Sequence, residues 1–196
     1  VQFQAQYVER KLPEDAINIQ RYLSSGVIKG IGSALAKKIV TAFGSQTLEI
    51  MEKQPTRLME IRGISPKKCE TIAQEVQKIF ALRSLMLFLQ QYNIRSRYAM
   101  RAYQCYGSGA KEMILANPYL LCGMGIELPF EKAELLADDL KVPKNAEQRI
   151  LAGTCYILEH NTHNGYTCLP LDRLQPKVCE YLQVSESEFL SAYQAA

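Results

Sequence analysis

The sequence predicts an all-α chain: two tandem pairs of helical hairpins, followed by a small helical module. Three observations predict it. Apolar residues recur at helical spacing, as in Leu35, Ile39 and Phe43, which lie four apart on one face. The apolar/polar alternation of a half-buried strand is nearly absent. The chain also matches itself along its length, at a period that marks repeated supersecondary units.

The first hairpin is carried by "GVIKGIGSALAKKIV" (26–40), where Gly30 and Gly32 bracket Ile31 just before a helix. Displaced by 33 residues, "KGIGSALAKKIV" (29–40) falls on "RGISPKKCETIA" (62–73), so Gly30 meets Gly63 and Ile31 meets Ile64. In this second hairpin Ser65 is placed to cap the helix, and Pro66 sits where a first-turn proline is tolerated. Displaced by 63 residues, "AKKIVTAFGSQTLEIMEKQP" (36–55) falls on "AMRAYQCYGSGAKEMILANP" (99–118) without a gap. A fourth copy, "GMGIELPFEKAELLA" (123–137), follows the pattern of 61–73 with a small insertion. Gly44 and Gly107 stand where a glycine ends a helix. The pairs occupy 13–83 and 84–143. From 144 to 196 the pattern gives a helix to about His163, a short extended "GYTCLP", and helices near 171–182 and 185–194. That order suits a small winged-helix-like module.

The glycines admit two readings. A tight turn between helices needs residues that tolerate positive φ, which glycine supplies. The same turn, running straight into a helix, lines up unpaired amides at the positive end of the helix dipole and can hold a phosphate. The candidate phosphate contacts are Gly30, Gly32, Ser33, Lys37 and Lys38 in the first hairpin, and Gly63, Ser65, Lys67 and Lys68 in the second. Substitution at Gly32 is expected to strain the turn and block the approach of a backbone. Ile31, Leu35, Ile39, Ile64 and Ile72 are expected in the core. No dinucleotide fingerprint is present, because Leu35 stands where its third Gly or Ala belongs, and there is no GxxxxGK[ST].

Taken in order, "YLSSGVIKGIG", "FGSQTLEIMEKQPTRLMEIRGIS", "MLFLQQYNI" and "NPYLL" resemble the N-terminal region of RecD-like/TraA-type DNA helicases (exodeoxyribonuclease V alpha-chain-like). The hairpins themselves are similar to helix-hairpin-helix motifs, a sequence-independent DNA-binding fold. The resemblance covers nearly the whole chain. It implies two tandem helix-hairpin-helix pairs that hold single-stranded or forked DNA by its phosphates, in an ATP-dependent helicase of DNA repair or recombination. It makes residues 1–12 the remnant of a preceding OB-like domain and places the ATPase motor, with its ATP and Mg, beyond Ala196. The chain's start without Met and its stop within "SAYQAA" read as those of an excised fragment. The competing reading is a scaffold whose hairpins pack on the motor or a partner without touching DNA.

The second pair departs from the pattern. "YNIRSRYAM" puts Asn93 and Ser96 where Gly-Ile-Gly is expected, and the fourth hairpin adds Glu127 and Glu131, which repel phosphate. Arg95, Arg97 and Arg101 remain as basic residues, so this pair reads as mainly structural. No catalytic constellation stands out, and no cofactor is expected within the chain itself. Glu159, His160 and His163 are too few for a metal site without further ligands. The tyrosines could stack on bases, but Tyr98, Tyr103 and Tyr106 recur at core spacing. The net charge of +3 argues weakly for a polyanionic partner. Six cysteines without a CxxC spacing, several of them in apolar helical patterns, read as buried free thiols. No run approaches 18 apolar residues, and the N-terminus lacks the order of a signal peptide, so a cytoplasmic protein without a membrane segment is expected.

Overall fold

The computed structural model describes residues 12–163 and 168–195, and among these every regular element is helical. The remnant expected at 1–12 lies, up to Lys11, outside the described residues, as does the first half of the extended "GYTCLP" piece, 165–167. The chain divides into two compact units between Phe80 and Ala81.

The first unit opens with α1 (Ala16–Ser24), capped by Asp15, whose carboxylate accepts the Asn18 N–H at 2.9 Å. Then follow α2 (Ser33–Phe43), α3 (Thr47–Lys53), a 3₁₀ segment Pro55–Glu60, and α4 (Pro66–Gln90). Ile19, Leu23, Ile31, Ile39, Leu58 and Ile72 meet in one apolar core. Of the residues expected there, Leu35 is a correction: it is only half-buried, and Ala36 takes the fully buried place on α2. The buried face of α2 is Ala36, Ile39, Val40 and Phe43, so the four-residue spacing finds Ile39 and Phe43 but places its first member, Leu35, on the flank.

The second unit repeats this order. α5 (Ser96–Tyr106) begins and ends 63 residues after α2, and α6 (Ala110–Ala116) does the same relative to α3. Gly44 and Gly107 end α2 and α5 at φ 56° and 66°, as a C-terminal glycine should. A 3₁₀ segment Pro118–Cys122 and α7 (Phe130–Asp139) complete the second pair. In both pairs the element before the later turn is thus 3₁₀ rather than α. Its opening proline has no N–H to give, and five or six residues are too few for a stable α-helix.

Three helices end the chain: α8 (Glu147–His163), α9 (Leu171–Leu182) and α10 (Glu186–Ala195). Their Ile150, Leu174, Val178, Leu182 and Phe189 belong to the same core as Leu121, Ile126 and Leu136 of the second pair. α10 begins with a reciprocal cap. Ser185 N–H donates to Glu188 at 2.8 Å, while Ser185 Oγ accepts the Glu188 N–H at 3.3 Å. The Ser185 amide, joined by the Ser185 hydroxyl, donates to the Glu188 carboxyl and holds it below the usual carboxylate range.

The thiols correct the expectation of burial. Only Cys69 is buried; Cys122 and Cys179 are half-buried, and Cys105, Cys155 and Cys168 are exposed. A cysteine is small enough to sit at the flank of an apolar stripe, where spacing alone does not distinguish it from core.

One buried charge pins the second unit. Arg149, 6% exposed, holds Glu134 through Nε and Nη2 at 2.9–3.1 Å and donates Nη1 to the carbonyls of Lys144 (2.6 Å) and Leu182 (3.0 Å). Tyr119 Oη donates to the same carboxylate at 2.5 Å. Removing one member of such a pair strands the other charge. Arg149→Met should therefore lower the unfolding free energy by ~3–5 kcal/mol in urea titration, and adding Glu134→Leu should recover most of it. In the first unit, Ile31→Ala should cost ~2–5 kcal/mol by the same measurement. A near-neutral effect there would show that the turns are not packed as pairs.

Candidate nucleic-acid interface

Each turn is built round one isoleucine. Ile31, Ile64, Ile94 and Ile126 are 4%, 7%, 3% and 0% exposed. The residue before each runs at positive φ: Gly30 at 91°, Gly63 at 106°, Asn93 at 56° and Gly125 at 89°. Asn tolerates that region best among residues with a side chain, which explains its stand-in at the third turn. The Ile31 and Ile64 amides are spent inside their turns, donating to Ile28 O at 3.2 Å and Ile61 O at 3.1 Å. The amides left for a ligand are those that follow.

In the first hairpin these belong to the opening turn of α2. Gly32 is its N-cap, without any side-chain cap, so the amides of Ser33, Ala34 and Leu35 have no intrahelical acceptor. Gly32 itself corrects an expectation. Its φ of −95° and ψ of 174° are ordinary extended values, and a Cβ there would meet nothing within 4 Å. The glycine that the fold requires is Gly30; Gly32 leaves the helix end uncovered.

The second hairpin is more closed. Ser65 Oγ accepts the Lys68 N–H at 3.3 Å, the expected cap, and Pro66 has no N–H to offer. The Ser65 and Lys67 amides remain.

The cations separate by what they touch. Lys37 and Lys67 are exposed, and their ammonium groups have no partner among the described residues. Lys68 is half-buried. Lys38 reaches back to the second turn, its Nζ donating to Arg62 O at 3.3 Å. The residue 63 positions later, Arg101, does the same in the second pair: its Nη1 donates to Ile126 O at 3.0 Å and to Glu127 at 3.1 Å. A basic side chain on the middle helix thus ties the two turns of each pair together, a role hidden in the sequence until α2 and α5 are aligned.

The two pairs diverge in charge. The residue just before the positive-φ position is Lys29 or Arg62 in the first pair, but Tyr92 or Met124 in the second. Lys67, second in α4, is matched by Glu131, second in α7. Glu131 accepts the Tyr156 Oη proton at 2.5 Å. Arg97 donates to Tyr98 Oη at 2.7 Å and stacks over that ring, so of the third-turn arginines Arg95 alone is exposed without a partner among the described residues. Tyr98 is buried and Tyr103 and Tyr106 half-buried, which makes them packing residues. Glu159 and His160 lie exposed on α8, and the His163 side chain is outside the described residues. No helix among the described residues is long and apolar enough to cross a membrane.

Comparison with known proteins agrees with this division. Residues 21–78 match the family described as SAM-like helix-hairpin-helix tandem, and residues 78–168 match the ATP-dependent RecD2 DNA helicase HHH domain. A protein of Deinococcus radiodurans named ATP-dependent RecD2 DNA helicase is 23% identical over 173 residues, which is 86% of this chain. The chain spans 24% of that relative's length. No solved structure matches. The boundary between the two family matches falls within α4, next to the boundary between the compact units. Over both of its units the chain is thus similar to the helix-hairpin-helix region of RecD-like helicases.

Proposed function

We propose that the first hairpin pair grips the phosphate backbone of single-stranded or forked DNA without reading bases. On this reading the chain is the accessory region of an ATP-dependent helicase of repair or recombination, working in the cytoplasm. The observation that carries the proposal is the uncapped α2 N-terminus behind the Gly30 turn, with Lys37 and Lys67 exposed beside the two helix starts. Amides and ammonium groups of this kind recognise phosphate and carry no sequence information. ATP and Mg would belong to a motor elsewhere in the parent protein, since this chain has no GxxxxGK[ST] loop to hold them. Residues 144–196 would serve to brace the second pair. The scaffold reading is favoured for that pair alone, where Glu127 neutralises Arg101 and Glu131 replaces the lysine.

Fluorescence anisotropy of the chain on single-stranded and forked oligonucleotides over a salt series tests the proposal. The logarithm of affinity should fall linearly with the logarithm of salt concentration. Lys67→Ala should weaken binding alike for all sequences and lower that slope by roughly 1. No binding at low salt would leave the scaffold reading.

Gly32→Asp separates fold from binding. An aspartate at this N-cap takes up the free α2 amides and complements the dipole, so the fold should gain about 0.5 kcal/mol. DNA affinity should nevertheless fall, because the carboxylate occupies the phosphate's place. A variant that melts higher and binds as before would rule the amides out.

A further inference from the structure

Lys38 belongs to the first hairpin by sequence and to the second by position. It lies on α2, yet its Nζ donates to Arg62 O at 3.3 Å. The same ammonium stands 3.9 Å from the point where a Cβ on Gly63 would lie. We propose that Lys38 is a phosphate ligand of the second turn, so that this turn's anion site is built from both hairpins of the first pair. The inference rests on the DNA-binding reading and deepens it, by moving Lys38 from the first site to the second.

The bond to Arg62 O uses one of the three ammonium hydrogens, and two remain to donate. It also holds a long side chain in place before a ligand arrives, which lowers the ordering cost of binding. Lys38 is exposed, so a phosphate has access to it. The Ser65 and Lys67 amides follow within four residues of Gly63, at the start of α4.

The second pair shows an anion held in this way. Arg101, 63 residues after Lys38, donates Nη1 both to Ile126 O at 3.0 Å and to the Glu127 carboxylate at 3.1 Å. Glu127 comes two residues after Gly125, as Ser65 comes two residues after Gly63. A cation from the middle helix thus holds a turn carbonyl and an anionic oxygen at once. The anchoring carbonyl differs, since Lys38 takes the one before its glycine and Arg101 the one a residue past its own. In both pairs the charge is brought to the later turn. Ser65 carries no charge, so in the first pair the anionic oxygen at this place is a ligand's.

Amide NMR titration of the chain with the dinucleotide TpT, which carries a single phosphate, tests the assignment. In the unaltered chain the amides of both helix starts should shift: Ser33, Ala34 and Leu35 at α2, Ser65 and Lys67 at α4. Lys38→Met keeps the aliphatic stem and removes the charge. It should weaken the response of Ser65 and Lys67 by about threefold, the order expected of one exposed charge pair. The response of the α2 amides should stay as it was, although Lys38 shares their helix. Lys38→Arg should restore the second turn, as Arg101 serves the same position. Weakening at the α2 amides instead, or equally at both turns, or at neither, would overturn the proposal. Lys37→Met should weaken the α2 amides; if it weakens Ser65 and Lys67 as Lys38→Met does, the effect is one of net charge and the assignment fails. No shift at any amide of the unaltered chain would remove the DNA-binding reading and this assignment with it. Shifts that Lys38→Met leaves unaltered fall on the assignment alone.

Discussion

The fold depends on four isoleucines that can be buried only if the residue before each adopts a left-handed backbone. Ile31, Ile64, Ile94 and Ile126 plug the space between the elements flanking their turns. The chain must reverse within a few residues to put them there. A positive φ at Gly30, Gly63, Asn93 or Gly125 makes that reversal, and the helix that follows starts at once. Burying an isoleucine contributes about 1.5–3 kcal/mol, enough to offset the strain that Asn93 accepts at φ 56°. The same geometry exposes the opening amides of the next helix. A packing constraint therefore produces the anion-binding geometry, and the residues around each turn decide whether it is used.

Those residues differ between the pairs, and the differences are concerted. In the first pair the turn is preceded by Lys29 or Arg62, and the α2 N-terminus is left bare. In the second pair the corresponding carboxylates are engaged by the protein itself, Glu127 with Arg101 and Glu131 with Tyr156. The tie between the turns persists in both, through Lys38 and Arg101. The second pair keeps the scaffold and the strap, but carries Tyr92 and Met124 where the first has Lys29 and Arg62, and Glu131 where it has Lys67. The strap also explains why a lysine next to Lys37 need not behave like it: the Lys38 ammonium already spends a donor on Arg62 O.

Much of this was legible in the sequence because it is local and repeated. The 63-residue displacement foretold α5 and α6 by their ends, and Ser65, Gly44 and Gly107 cap as their residue types require. What escaped was set by contacts across the chain. Whether Leu35 or Ala36 faces the core depends on how α1 packs on α2, which periodicity in α2 does not contain. The cage round Arg149 draws Glu134 from 15 positions away and Leu182 O from 33, so no window of sequence shows it. Gly32 misled for another reason. Two glycines beside one isoleucine look equivalent on paper, yet only Gly30 carries the positive φ.

On the proposed reading the grip is made from two turns and is necessarily weak, which bears on what the region would be for. Each phosphate neutralised contributes about 0.9 to the salt slope on duplex and about 0.7 on single strands. Two helix starts with one or two cations each reach only a few phosphates, so affinity alone cannot hold DNA for long at physiological salt. Within a longer chain the requirement is different. A weak site tethered beside a second DNA-binding element acts at the effective concentration that the tether sets, and so raises the retention of the whole without slowing movement along the strand. Absence of base contacts then becomes useful, because every register along the backbone is equivalent. The acidic second pair fits the same economy. Two more gripping turns would slow release.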